Sequence, residues 1–249
     1  MLNPLSETLD FDNEAQLLFA KLNLLPSESG GRFNSLDAIW RHPTTKGTIY
    51  VGNQSAAMSK ELLNKFGITK IVNCTDNMNN FHENAGEFKG DGVPSSAYTL
   101  RAGNKEKAGA SPYHTSITPN APSTITNLQN TNFKYLRFPI SFWSRFVDQR
   151  TTDNHTSLLN FLMPLFKFVD EALANGENVL VHCLAGAHRA GTTGVLCLMR
   201  YSGENDVAVA IKTAKKLRPI IDPIGMLPEL LKRYSLARND GVDLDKGWH

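Results

Sequence analysis

The pattern of apolar and polar positions is clearest around residue 180. The apolar, valine-rich residues 179–181 predict a buried strand, and residues 190–201, after a short loop, have the composition of a helix. A strand, a loop and a helix in this order direct several backbone N–H groups and the positive end of a helix dipole toward one point. The sequence therefore predicts an anion-binding site between the strand and the helix.

Similar patterns predict the other elements of the chain. Strands are expected at residues 48–51, 68–73 and 133–139, and helices at 14–25, 55–66, 156–174, 205–217 and 226–234. Asp12 and Asn13 are the expected cap of the first helix, and Pro164 is expected to kink the helix at 156–174 or to mark its first turn. This order of elements predicts an α/β fold with a mostly parallel central sheet and helices on both faces.

Two stretches lack such periodicity. Residues 76–132 are rich in Asn, Ser, Thr, Pro and Gly, and only residues 97–101 resemble a strand. A stretch of this length within a domain usually forms a functional loop or is locally disordered, so we interpret it as an insertion. Residues 140–154 are predicted to form a loop that carries Phe142 and Trp143.

Composition narrows the class of protein. The chain has 249 residues, 41% of them hydrophobic, which suffices for one full core, and its formal net charge is only +2. This charge gives no argument for a nucleic-acid or membrane partner, and no apolar run reaches the length of a membrane span. Three cysteines, Cys74, Cys183 and Cys197, are too few for a disulfide framework, and residues 1–13 lack the pattern of a signal peptide. We therefore expect a cytoplasmic protein, with a nuclear location as the alternative.

Cys183 and Arg189 are the candidate functional residues of the predicted anion site. Backbone donors around Cys183 would stabilise a thiolate, and a guanidinium offers two parallel N–H donors to a tetrahedral oxyanion. A cysteine after a buried strand is more often a small core residue, and a loop arginine is more often solvated. The joint pattern His-Cys-x5-Arg, with Gly186 inside it, is much rarer than either residue alone. It favours a thiolate nucleophile directed at phosphorus.

His182, Cys183 and Arg189 resemble the signature of the cysteine-dependent protein tyrosine phosphatase superfamily, and the surrounding chain resembles its dual-specificity branch. The resemblance extends over four segments, at residues 47–53, 63–74, 134–140 and 218–223. It implies the protein tyrosine phosphatase-like fold, with an N-terminal extension at 1–46, a dual-specificity phosphatase-like catalytic domain at 47–238 and a C-terminal tail at 239–249. It implies no cofactor and no metal, and we expect a monomer.

The resemblance also implies a role for each residue of the loop. Cys183 attacks phosphorus and forms a cysteinyl-phosphate. The phosphate oxygens are held by the Arg189 side chain and by backbone N–H groups of the loop, at Leu184, Ala185, Gly186, Ala187, His188 and Arg189. His182 is expected to orient the loop and to favour the thiolate. His188 lies outside the signature and is expected to be a semi-exposed loop residue, with contact to the substrate as the alternative.

The family takes its general acid, an aspartate, from the loop after the strand that residues 133–139 resemble. Counted from that strand, the corresponding residue is Phe142, whereas counting from the following helix leads to Asp153. The two counts agree if residues 143–152 are an insertion. Asp153 is therefore the first candidate for the acid and Asp148 the second, and the alternative role of Asp153 is to cap the helix.

Ala190 departs from the family pattern, which has Ser or Thr after the arginine to help the thiolate leave in the second step. Thr192 or Thr193 is a candidate substitute for that hydroxyl. Ala190 and the preceding Cys-x-Ala-Gly also resemble the glucan phosphatases of the same branch, whereas the loop lacks the lysines of phosphoinositide phosphatases. We predict hydrolysis of phosphate monoesters, foremost phosphotyrosine and phosphoserine/threonine in proteins. The alternatives are a non-enzymatic phosphate-binding pseudophosphatase and a phosphatase for a glucan or another non-protein substrate.

Overall fold

A five-stranded sheet forms the centre of the structure, a computed structural model that describes residues 9–21, 34–83, 132–148 and 155–241. Its strands are β1 (Leu36–Arg41), β2 (Thr48–Gly52), β3 (Ile68–Asn73), β4 (Lys134–Arg137) and β5 (Asn178–His182). The helices are α1 (Phe11–Lys21), α2 (Gln54–Met58), α3 (Lys60–Lys65), α4 (Trp143–Phe146), α5 (Thr156–Ala174), α6 (Arg189–Ser202), α7 (Val207–Leu217) and α8 (Leu227–Asn239). A 3-10 turn, Ile140–Phe142, precedes α4.

The sheet is mostly parallel, and β5 lies in its middle. The strand order is β1-β2-β5-β3-β4, in which β1 pairs antiparallel with β2 and all other neighbours are parallel. Val179, Leu180 and Val181 in β5 are fully buried, as expected for a central parallel strand covered on both faces. Sequence analysis did not predict β1, which lies within residues 1–46 and forms an edge of the sheet.

Helices cover both faces of the sheet, as predicted. Because side chains alternate along a strand, Leu180 faces the helices α2 and α3, where it packs with Ala56 and Leu63. Val179 and Val181 face the opposite side and pack in the larger core, which includes residues of α5, α6 and α8. The predicted α/β fold with a mostly parallel sheet is therefore confirmed.

Several element boundaries differ from those predicted. The strand β3 and the helix α5 have the predicted bounds, and Pro164 lies inside α5 rather than in its first turn. The single helix predicted at 55–66 is two helices, because Ser59 ends α2 and its hydroxyl caps α3 by accepting the N–H of Leu62. The first helix begins at Phe11, where the Asp10 carboxylate accepts N–H groups of the first turn, so the predicted cap was placed too late.

The segment after β4 is not the open loop that was predicted. It folds into the 3-10 turn and α4, because Trp143 and Val147 are apolar and pack in the core, where they are 0% and 4% exposed. Asp153, the strand-like residues 97–101 and most of the predicted insertion lie outside the described residues. None of the described helices is both long enough and apolar enough to cross a membrane.

Candidate active site

Cys183 follows the carboxyl end of β5, the central strand of the sheet. The neighbouring strands β2 and β3 run parallel to β5, so their carboxyl ends open at the same edge. The Cys183 side chain is 3% exposed, and its Sγ accepts the N–H of Gly186 at 3.3 Å. The sulfur of Cys183 therefore lies at the carboxyl ends of the parallel strands, which is where open α/β sheets bind ligands.

The loop after Cys183 is held in place by hydrogen bonds between the carbonyl groups of residues 184–187 and donors elsewhere in the chain. The acceptors and donors are Leu184 O with Gln54 N–H (3.0 Å), Ala185 O with Arg218 Nη2 (3.3 Å), Gly186 O with Arg218 Nε (3.0 Å) and Ala187 O with Asp222 N–H (3.1 Å). In a planar trans peptide the N–H points opposite to the carbonyl. The N–H groups of residues 185–188 are therefore directed away from these partners, and that of Gly186 points to the sulfur.

Glycine is the only residue type that fits position 186. Its φ is +70°, in the left-handed region, and an added Cβ would lie 2.4 Å from the carbonyl oxygen of Gly52. Apart from Gly186, no N–H of residues 184–188 bonds to an acceptor among the described residues. The loop thus presents a set of donors suited to an anion.

Arg189 opens α6 beside this loop and is 3% exposed. Its Nη2 contacts the carboxylate of Asp12, and its Nη1 lies 4.0 Å from the carboxylate of Asp76, while its Nε has no partner among the described residues. Burial alone would lower the pKa of Arg189, but Cys183 and these two carboxylates raise it overall. A permanently charged guanidinium therefore borders the N–H groups of the loop.

His182 is neutral in the folded protein. It is fully buried. Burial, helped by the charge of Arg137, lowers the pKa of His182 to about 3. The ring therefore adds no positive charge beside Cys183. The expected roles of His182, to orient the loop and to favour the thiolate, stay predictions.

His188 is buried rather than semi-exposed, which corrects the expectation from the sequence. Its side chain is 5% exposed, and its Nδ1 lies 2.7 Å from the carbonyl oxygen of Asp222. Since a carbonyl only accepts, Nδ1 carries the proton of this bond. His188 thus fastens the end of the loop to the segment after α7.

Arg218 and Asp37 are site residues that sequence analysis missed. Arg218 is 1% exposed and holds two loop carbonyls, and its Nη1 lies 2.6 Å from the Asp37 carboxylate in β1. Burial lowers the pKa of Arg218, although Asp37 opposes the shift. Arg218 lies in a segment that resembles the family, but its partner is 181 residues away, so no local pattern reveals the pair.

Neither threonine of α6 replaces the hydroxyl that Ala190 lacks. The Thr192 hydroxyl donates to the His188 carbonyl at 2.7 Å, and the Thr193 hydroxyl donates to the Arg189 carbonyl at 3.0 Å. Ala190 itself is fully buried. The hydroxyls are therefore bonded along the helix, and neither bonds to the sulfur of the loop.

The candidate positions for the general acid differ in their surroundings. Phe142, which occupies the aspartate position counted from the strand, lies under the Arg145 guanidinium at 4.4 Å. Asp148 has an exposed side chain, and its backbone is fixed by Ser157 at 3.0 Å and Arg233 at 2.9 Å. Asp153 lies outside the described residues. Of the candidate positions within the described residues, the one counted from β4 thus holds an aromatic ring, and the other holds the exposed Asp148.

The loop donors and Arg189 lie next to the sulfur of Cys183 in an arrangement suited to a tetrahedral oxyanion. Comparison with known proteins shows the family. The family model "Dual specificity phosphatase, catalytic domain" matches residues 103–235, more than half of the chain. The chain therefore belongs to the dual specificity phosphatase family.

Individual relatives match this chain over part of their length. Human dual specificity protein phosphatase 9 is 34% identical over 139 residues, which are 54% of this chain and 33% of the relative. Human dual specificity protein phosphatase 6 is 28% identical over 193 residues, which are 76% of this chain and 36% of the relative. The solved structure of human DUSP28 has a TM-score of 0.46 and 20% identity, covering 78% of this chain and 94% of that chain. The chain spans about a third of the length of the curated relatives it matches.

Proposed function

We propose that this protein hydrolyses phosphate monoesters, foremost phosphotyrosine and phosphoserine/threonine in proteins, through a cysteinyl-phosphate on Cys183. The relatives are named protein phosphatases, and this supports the substrate class. In the first step the Cys183 thiolate forms a bond to phosphorus while the bond from phosphorus to the ester oxygen breaks. In the second step water attacks phosphorus, the sulfur leaves as a thiolate, and inorganic phosphate is released.

The loop conformation is the observation that carries this proposal. Its four carbonyl groups are bonded to Gln54, Arg218 and Asp222, so the opposite N–H groups are preorganised before any ligand arrives. Donors fixed in advance stabilise charge without reorganisation during the reaction. Backbone N–H groups at residues 184–189 and the Arg189 guanidinium would hold the three equatorial phosphoryl oxygens.

We assign the proton transfers to Asp153. As an acid it protonates the departing ester oxygen, and as a carboxylate it takes a proton from the attacking water in the second step. The helix-anchored count supports Asp153, because the start of α5 is fixed by packing in the core, whereas the length of the preceding segment is free to vary. Asp148 remains the second candidate.

Alkylation tests the nucleophile directly. We expect iodoacetate to modify Cys183 well below the pH at which Cys74 and Cys197 react, and inorganic phosphate or orthovanadate to protect it. Burial raises the pKa of Cys74 and raises that of Cys197 to about 12, so both are internal controls in the same sample. Peptide mass spectrometry that finds equal modification of all three cysteines would refute the thiolate.

Hydrolysis separates the proposal from its alternatives. Turnover of p-nitrophenyl phosphate that is lost in Cys183→Ser supports an enzyme, whereas phosphate binding without turnover identifies a pseudophosphatase. The matched control is Cys197→Ser, which changes a buried cysteine in the middle of α6. Faster turnover of phosphopeptides than of phosphoglucan supports the protein substrate, and the reverse order supports the glucan alternative.

A further inference from the structure

The helix α1 lies across the loop that follows Cys183. Ala15 of α1 is 2% exposed and packs with Ala185 and Ala187 of the loop and with Ile220. The partly buried Leu18 joins the same cluster. The helix therefore covers the loop of the candidate active site.

The first turn of α1 brings an acidic side chain to Arg189. Asp12 contacts Nη2 of Arg189 through its carboxylate, and the Phe11 ring lies 5.6 Å from the guanidinium carbon. Asp10 fixes the turn, because its carboxylate accepts the N–H of Asp12 at 3.0 Å and that of Asn13 at 3.1 Å. Both the carboxylate and the ring are thus held against the guanidinium that opens α6.

A carboxylate on Arg189 competes with a phosphate for the same donors. A guanidinium binds a phosphate best through two parallel N–H groups, and Asp12 occupies one of them. A phosphate dianion beside the Asp12 carboxylate would also be repelled, since like charges close together in a partly buried site interact strongly. The contact of Asp12 and the binding of a phosphate monoester therefore compete for Arg189.

We propose that α1 is an intramolecular inhibitor, in which Asp12 takes the place of a phosphate oxygen on Arg189 and the helix must move away before substrate binds. This inference rests on the proposed phosphatase function of the same site. Closure reduces the fraction of molecules competent to bind, so it raises the apparent dissociation constant without changing the chemical step. If nine of ten molecules are closed, the apparent constant is about tenfold above that of the open protein.

Two variants of the full chain open the site in different ways. Asp12→Asn removes the charge that pairs with Arg189, and Ala15→Gln places a bulky neutral side chain where α1 packs on the loop. Glu14→Gln is the matched control, because it removes one negative charge from the same turn of α1, and Glu14 is not among the groups that shift the pKa of Arg189. Thermal melting checks that all three variants remain folded.

The expected result is a change in binding and not in turnover. For p-nitrophenyl phosphate we expect KM to fall about tenfold in Asp12→Asn and Ala15→Gln, with kcat within about twofold and Glu14→Gln like the wild type. The phosphate concentration that protects Cys183 from iodoacetate should fall by the same factor, which measures binding without any turnover.

Two outcomes would overturn the inhibitory helix, and a third would uphold it without the phosphatase. Unchanged KM and unchanged protection in both variants would overturn the inhibitory helix while leaving the phosphatase intact. A drop in kcat for Asp12→Asn, larger for phenyl phosphate than for p-nitrophenyl phosphate, would also overturn it and make Asp12 a proton donor. Tighter protection in both variants without hydrolysis of any substrate would uphold the helix as an intramolecular ligand and refute the phosphatase.

Discussion

The loop after β5 and the segment after β4 begin at the same edge of the sheet but are built differently. Four consecutive carbonyls of the first are bonded to other parts of the chain, so its N–H groups form a ready anion site. The second begins with aromatic side chains, of which Trp143 is fully buried and Phe142 lies under Arg145. The phosphate-binding half of the site is thus preorganised by the fold, whereas Asp148 is the only candidate acid within the described part of the second region, and its side chain is exposed.

This difference shows that the two halves of the site follow different constraints. The loop must place several donors around one point, so its length, its glycine and its outside partners are all restricted. A general acid needs only one carboxyl group within reach of the leaving oxygen, and a segment of variable length can supply it.

The largest expected effect is at Arg189. We expect Arg189→Lys to lower kcat/KM about a thousandfold, nearly as much as Arg189→Ala, because an ammonium group lacks the planar pair of donors. Steady-state kinetics with p-nitrophenyl phosphate measures the loss, and protection of Cys183 from iodoacetate by phosphate measures binding. Near-normal activity of Arg189→Lys would show that this guanidinium does not clamp phosphate.

The next effect tests the missing acid. We expect Asp153→Asn to slow phenyl phosphate about a hundredfold and p-nitrophenyl phosphate far less, because nitrophenolate leaves without a proton. The alkaline limb of the kcat–pH profile should disappear as well, since that limb reports loss of the proton from the acid.

Asp148→Asn is the matched control for Asp153→Asn. It changes an exposed carboxyl group whose backbone stays bonded to Ser157 and Arg233, and we expect it to keep its activity and its alkaline limb. The opposite result, with the limb lost only in Asp148→Asn, would exchange the two assignments. A limb that survives in both variants would show that neither residue is the acid.

A smaller effect is expected at Arg218, which bonds to two carbonyl groups of the loop. We expect Arg218→Gln to weaken phosphate binding about tenfold, because the carbonyls of Ala185 and Gly186 lose charged donors. The control is Arg200→Gln, which removes another largely buried arginine from its 2.8 Å ion pair with Asp170, away from the loop. If both variants lose the same stability in thermal melting but only Arg218→Gln loses binding, Arg218 is a positioning residue. Equal loss of binding would reduce its role to general stability.

The smallest effect concerns the second step. Ala190 offers no hydroxyl to the leaving thiolate, and the hydroxyls of Thr192 and Thr193 donate to helix carbonyls, so we expect breakdown of the cysteinyl-phosphate to limit turnover. The wild type should show a burst of nitrophenolate, and Ala190→Ser should shrink the burst and raise the steady rate about threefold.

Thr193→Val tests the alternative source of the hydroxyl. Because its hydroxyl donates to the Arg189 carbonyl at 3.0 Å, we expect this change to leave the burst of the wild type unaltered. A wild type without a burst, or a slower second step in Thr193→Val, would contradict the assignment of the slow step to Ala190.

The sequence by itself determined the elements that depend on local patterns. The short apolar, valine-rich run of β5 is typical of a buried strand, and α5 has the apolar period of a helix, and both are where they were predicted. The strand, loop and helix around the motif from His182 to Arg189 were also predicted, because apolar residues before the motif and helical composition after it are local signals. The family resemblance that this motif supports is confirmed.

Tertiary structure decided what depends on partners distant in the chain. Arg218, which holds the loop, pairs with Asp37 in an edge strand that was not predicted from the sequence, and Asp12 reaches Arg189 from a helix that packs on the loop through Ala15. The segment after β4 is a packed turn because Trp143 is buried in the core. Local sequence encodes the conformational preferences of a few neighbouring residues, whereas the Arg218 and Asp12 contacts join residues more than a hundred positions apart, so only the folded chain brings them together.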